Sequence, residues 1–247
     1  MVNQTAPGIG KPGESLDLTL LANFVHQVVN PLNGVAGTLD NLAEGLIKEE
    51  SRRVQRLAAA RAQIEECITL MRNLAFLAKG SGGMSEAELR TVVLPQVIIE
   101  AAMFFQEDGK TKLIEIHLDD RKTQNRVVGR PELIRQVLMN IFDNCVKYGK
   151  HSSQIRVSQW IQSGTKNAII VVSGQSLYPI NPDEIRHIFD LGFRGTNARK
   201  IVASGTGIGL YICKQIVERD HGGELHVQTE GANGIKFTIK LPGGETG

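Results

Sequence analysis

Apolar residues recur at steps of three and four along the first third of the chain, in two successive runs, and no other feature limits the fold as tightly. Leu21, Val25, Val28, Leu32, Val35, Leu39, Leu42 and Leu46 form one series; Val54, Leu57, Ile64, Ile68, Met71, Ala75 and Ala78, with Arg61 at one step, form the next. Such alternation places the side chains on one helical stripe, the kind that a bundle or coiled coil buries. The spacing predicts a helix from a cap at Ser15 or Asp17 to about Lys48, and a polar connection over residues 49–52. A second helix then runs to the break at Gly80, Ser81, Gly82 and Gly83. Together the two make an antiparallel hairpin. One hairpin cannot cover both stripes, so residues 15–80 are expected to pair with a second copy as a four-helix bundle.

His26 lies just off the first stripe, which presents its imidazole to water, with Gln27 beside it and Asn30 one turn on. A lone histidine in this position is usually a packing or surface residue, so its meaning depends on the rest of the chain. Pro31 falls inside the same helix and is expected to bend it near His26.

The 247 residues are 41% hydrophobic, enough for one large or two ordinary globular domains. With 28 basic against 26 acidic residues, the charge gives no sign of a nucleic-acid surface. No stretch reaches the roughly 18 apolar residues of a membrane span, and no secretory pattern opens the chain, so it reads as cytoplasmic. Cys67, Cys145 and Cys213 are widely spaced and odd in number, which predicts reduced, buried thiols without disulfide or zinc.

Residues 1–14 read as a flexible leader, 15–80 as the hairpin, 81–91 as a linker and 92–247 as a second domain. The second domain is predicted to have helices over 95–106, 131–148, 183–189 and 210–220. Strands are predicted over 114–118, 126–128, 154–160 and 168–172, followed by a hairpin pairing 224–229 with 235–241 through Ala232, Asn233 and Gly234. This mixture suggests an α+β sandwich, with helices on one face of a largely antiparallel sheet.

Three segments of that domain carry chemistry. Asn140 and Asn144 are four apart on one helical face, with Lys147 and Tyr148 following; amide oxygens suit magnesium, and a lysine suits phosphate charge. Gly205, Thr206, Gly207, Ile208, Gly209 and Leu210 lead into a helix, so backbone N–H groups can approach an anion. The turn lacks the Gly-Lys-Ser/Thr of a Walker loop and no strand feeds directly into it, which argues against a dinucleotide unit. Between the two motifs, residues 189–200, with Phe193 and Arg194, are polar and basic enough for a mobile lid over a nucleotide.

Taken in order and spacing, these segments resemble the catalytic core of two-component sensor histidine kinases over roughly residues 16–242. Residues 26–32 are similar to the phospho-acceptor box, 140–148 to the asparagine box, 188–194 to the phenylalanine-containing box and 205–210 to the second glycine box. The resemblance implies a dimerising phospho-acceptor hairpin followed by a Bergerat-type ATP-binding sandwich. It makes His26 the phosphoryl acceptor and Asn144 the magnesium ligand. Asn140 and Lys147 line the phosphate side, and Gly205, Gly207 and Gly209 form the phosphate-facing turn. ATP and Mg2+ are the implied ligands, a second copy and a response-regulator receiver domain the implied partners, and the γ-phosphoryl group passes from ATP to His26 and then to the regulator's aspartate.

Two positions depart from the family pattern. The residue after the acceptor is usually a carboxylate, but here it is Gln27, an amide that cannot act as a base at neutral pH. The aspartate that meets the adenine amino group in the family falls on Gln175, or on Gly174 if the count shifts by one. Asn30 keeps the amide that, by the resemblance, can orient water against a partner's phosphoaspartate. The alternative reading is therefore a kinase-weak scaffold acting as a phosphatase or regulator-binding module, and a third is a related ATPase that never phosphorylates itself.

Overall fold

The computed structural model describes residues 18–78, 89–105, 109, 112–201 and 205–247. The expected leader, the caps at Ser15 and Asp17, and the glycine joint at 80–83 lie outside the described residues. Two long helices come first, α1 (Leu18–Ala43) and α2 (Glu50–Ala78), packed as a hairpin. Helix α1 continues through Pro31 but stops before the expected Lys48. Its end is a Schellman motif: Gly45 takes φ 69°, Gly45 N–H donates to Leu42 O at 3.2 Å and Leu46 N–H to Asn41 O at 3.0 Å. A residue able to adopt the left-handed conformation thus ends the helix while the apolar series still continues.

Each helix of the hairpin has two apolar faces. The stripe predicted on α2 is open, with Val54, Leu57, Ile64, Ile68 and Met71 all exposed. The covered stripe lies one residue behind it, at Ala60, Gln63, Cys67, Leu70, Leu74 and Leu77, joined by buried Asn73 and Phe76. One residue is about 100° around a helix, so the two series face different neighbours. On α1, Phe24 and Val35 are buried while Leu21, Val25, Leu32 and Leu39 are exposed.

The remaining elements build the sandwich. Strand β1 (Arg90–Val93), which the sequence reading missed, pairs with β3 (Arg126–Gly129) in a small antiparallel sheet. The main sheet runs β2-β4-β5-β7-β6, made of β2 (Glu115–Leu118), β4 (Gln154–Gln162), β5 (Asn167–Gln175), β7 (Gly234–Leu241) and β6 (Glu224–Glu230). Only β2 with β4 is parallel. Over one face lie α3 (Leu94–Met103), α4 (Pro131–Lys147) and α7 (Gly209–Lys214), which unwinds into a π-helical turn at Gln215–Asp220. Leu138, Ile141 and Phe142 of α4 share a core with Ile155, Ile170, Val172, Phe237 and Ile239 of the sheet, and Phe24 and Phe76 of the hairpin join it.

The helix expected over 183–189 is only α5 (Pro182–Ile185). Beyond it the bonding changes to steps of three, with His187 N–H on Glu184 O at 3.1 Å and Asp190 N–H on His187 O at 2.8 Å, a tighter winding that does not propagate. A further short helix, α6 (Thr196–Ile201), stands within the segment read as a lid. No helix of the described residues is long and apolar enough to cross a membrane, and the three cysteines are free and buried.

Candidate nucleotide site

Helix α4 sets the site. Its apolar residues face the sheet, which leaves Asn140, Asn144 and Lys147 along the side that looks toward α2 and the 205–210 turn. Here lies a cavity of about 360 Å³, walled by α4, the inward ends of β5 and β7, residues from 178–201 and 205–207, and the hairpin. Asn140, Asn144, Lys147, Tyr148, Gln175, Phe193, Arg194, Gly205, Thr206, Gly207, Gly209 and Leu210 all line it, so residues of separate segments converge on one space.

Asn144 donates from Nδ2 to Asn140 O at 2.7 Å, a bond that fixes the amide and leaves its oxygen as the group to offer a hard cation. Asn140 is buried and acts as a strut. Its Nδ2 donates to Gly209 O at 3.2 Å, while its Oδ1 accepts from Asn73 Nδ2 at 3.4 Å. Lys147 is bracketed by Glu66 at 2.8 Å and Asp143 at 3.1 Å. Burial works against its charge, but the two carboxylates outweigh burial and hold the ammonium above the ordinary lysine range. Because the folded value is raised, the lysine's side of this pairing is fully present at neutral pH and is lost as alkali deprotonates the amine.

The glycine turn is shaped by contact. Gly207 takes φ 67°, and a Cβ there would lie 2.5 Å from Phe193 O and 2.6 Å from Gly192 C, so only glycine lets the turn lie against residues 192–193. Gly192 N–H donates to Gly207 O at 3.2 Å, which ties the two segments together. The 189–200 segment is anchored too. Glu184 accepts from Thr196 N–H at 2.9 Å and Thr196 Oγ1 at 2.7 Å, and Asn197 Nδ2 donates to Pro179 O at 3.0 Å. Residues 202–204 lie outside the described residues.

The acceptor box is divided by the helix. Gln27 is half-buried and lines the cavity, whereas His26 and Asn30 are exposed on another face of α1 and do not line it. Gln175 borders the cavity but is exposed, on the outward side of the pleat.

Sequence reasoning did not anticipate the α2 side of the site. Asn73 accepts from Gln136 Nε2 at 2.8 Å, Glu66 pairs with Lys147, and Arg219 lies over the Phe76 ring at 5.4 Å. The only sequence sign was an amide, Asn73, beside the offset apolar stripe.

Comparison with known proteins bears on this arrangement. The family described as histidine kinase-, DNA gyrase B-, and HSP90-like ATPase matches residues 129–245, the stretch holding every cavity residue of the sandwich from α4 onward. The sensor protein KdpD of Clostridium acetobutylicum is 29% identical over 232 residues, 93% of this chain and 25% of that protein. The chain is similar to sensor histidine kinases along most of its length, and its residues 129–245 match that ATPase family. The sensor histidine kinase ZraS of Salmonella typhimurium is also 29% identical, over 90% of this chain and 45% of its own length. The chain thus spans less than half of either curated relative. Among solved structures, the catalytic domain of the histidine kinase ThkA matches with 25% identity and a TM-score of 0.53, covering 63% of this chain and 97% of that one. ThkA in complex with the response regulator protein TrrA shares the fold over 91% of this chain and 61% of that one, at 20% identity and a TM-score of 0.54.

Proposed function

We propose that the chain is the autokinase core of a two-component system, binding ATP in the cavity beside α4 and passing its γ-phosphoryl group to His26. The convergence of the α4 amides, Lys147 and the 205–210 turn on one cavity carries this reading. Asn144 would hold Mg2+ through its amide oxygen, and the ion would neutralise phosphate charge as the terminal group transfers. The 205–209 backbone offers N–H groups to phosphate oxygens, Lys147 supplies a fixed positive charge, and Phe193 and Arg194 help close the cavity over the nucleotide. In the transfer, an imidazole nitrogen of His26 bonds to the γ-phosphorus, the bond to the ADP oxygen breaks, and ADP leaves. Because His26 faces solvent in this arrangement, either the hairpin must turn on the sandwich or a partner subunit must present its histidine.

The pairing is a homodimer through residues 15–80, supported by the open stripes at Leu21, Val25, Leu32 and Leu39 on α1 and Val54 to Met71 on α2. The downstream partner is a receiver domain, as in the ThkA–TrrA complex. Gln27 and the exposed Asn30 favour a second reading, a kinase-weak module that dephosphorylates or holds its regulator.

Incubation with γ-labelled ATP and Mg2+ separates the two. The kinase reading expects protein-bound label that is lost in acid, stable in base, and absent from His26→Ala. Folded dimer that binds nucleotide and takes up no label moves the assignment to the second reading.

A further inference from the structure

We infer that the base of the nucleotide is read by the hydroxyl of Ser176 beside the bare backbone of Gly174, so that the site takes adenine and guanine nucleoside triphosphates alike. The inference rests on the nucleotide reading of the cavity.

Strand alternation decides which residue of the β5 end faces inward. Ala168, Ile170, Val172 and Gly174 fall on the buried side of the pleat and Gln175 on the other. A Cβ built on Gly174 would lie 3.7 Å from Ile155 Cγ1 and 4.0 Å from Cys145 Sγ, aimed at the cavity floor with room to spare. Across the ladder Gly174 pairs with Ile235 and Val172 with Phe237. The lining around Gly174, made with Cys145, Ile235 and Phe237, is apolar and suits a flat ring, while the amides, Lys147 and the glycine turn suit phosphates.

Ser176 is the next inward residue, buried and lining the same cavity. Its N–H donates to Asn233 O at 2.7 Å and its C=O accepts from Asn233 Nδ2 at 3.1 Å, so both backbone groups are committed to the β6–β7 turn and the hydroxyl is what the residue offers. A hydroxyl can donate or accept. It can take a hydrogen from adenine's amino group or give one to guanine's carbonyl, whereas a carboxylate there would only accept and would repel that carbonyl. Glu65, Glu66, Asp143 and Glu184, the carboxylates among the described lining residues, stand on the hairpin, on α4 beside Lys147 and near the lid segment. Burial pushes the Cys145 thiol up to about 12, so it adds no charge at neutral pH.

The test is displacement of a fluorescent trinitrophenyl-ATP from the full chain by Mg-ATP and by Mg-GTP. The two dissociation constants should agree within about tenfold. Ser176→Ala should weaken both by similar factors. Gly174→Asp, which adds an acceptor-only group where a Cβ has room, should shift the preference toward ATP by at least about tenfold. A wild-type preference above tenfold for either base, or a Ser176→Ala loss confined to one nucleotide, overturns the inference. If Gly174→Asp does not fold, the wild-type ratio and Ser176→Ala still decide. A protein that binds neither nucleotide overturns the nucleotide reading itself, a separate result.

Discussion

Replacing Asn73 with alanine tests whether α2 is fastened to α4 by buried amides. Asn73 is 4% exposed and Gln136 is 9% exposed, so water cannot substitute for either side chain. Of the three bonds that Asn73 makes, the one from Gln136 Nε2 at 2.8 Å is short, while the two exchanged with Asn140 are 3.4 Å and count for less. Truncation strands the Gln136 donor, which costs about 1–3 kcal/mol. Asn140 keeps its bond to Gly209 O, so its share of the loss is smaller. Urea unfolding of wild type, Asn73→Ala, Gln136→Ala and the double variant closes a thermodynamic cycle. The expected coupling is about 1–2 kcal/mol, because the double variant leaves no stranded partner. Losses that add to within about 0.5 kcal/mol would mean that the two side chains do not meet, and would refute the docking of α2 on α4.

Glu66→Gln removes one of the two carboxylates that engage Lys147; with both partners partly exposed, stability should fall by less than about 1 kcal/mol. Mg-ATP affinity, read by fluorescent-nucleotide titration, should rise, since Lys147 then has one competitor fewer for phosphate. His221 provides a pH test. Its Nδ1–H donates to Ile216 O at 2.8 Å and its Nε2 accepts from Arg130 N–H at 3.1 Å, at the start of α4, and the bond accepted at Nε2 needs the neutral ring. Burial, with Arg130 adding to it, holds the imidazole below its ordinary value despite opposing pulls from Ile216 O and Asp220. The unfolded chain therefore takes up a proton first, and stability should fall as pH drops below about 6.5. His221→Gln should flatten that slope in urea melts at pH 5 and 7.5.

The helices of the hairpin were legible from their three-and-four spacing, but what each stripe covers was not. The series from Val54 to Met71 is as regular as the covered one that trails it, and only the fold shows that α1 and the sandwich take the latter. The end of α1 was missed because Leu42 and Leu46 kept the period while Gly45 closed the helix. In the site, the sequence motifs brought the α4 amides and the glycine turn together because each motif is local. Glu66 and Asn73 were not visible, since their partners are 81 and 63 residues away and no local period encodes such a pairing. Gly174 and Gln175 could not be separated by counting residues. In a strand, a shift of one residue exchanges inside for outside, and the pleat of β5 places Gly174 inside.

The central claim is that the cavity beside α4 holds a magnesium nucleotide through Asn144. Calorimetric titration of ATP into the protein, with Mg2+ and with chelator, in wild type and Asn144→Ala, tests it most directly. Binding to wild type that weakens at least about tenfold both without Mg2+ and in Asn144→Ala is the predicted result. ATP binding that is indifferent to the ion and to Asn144, or no binding by folded protein, would contradict it.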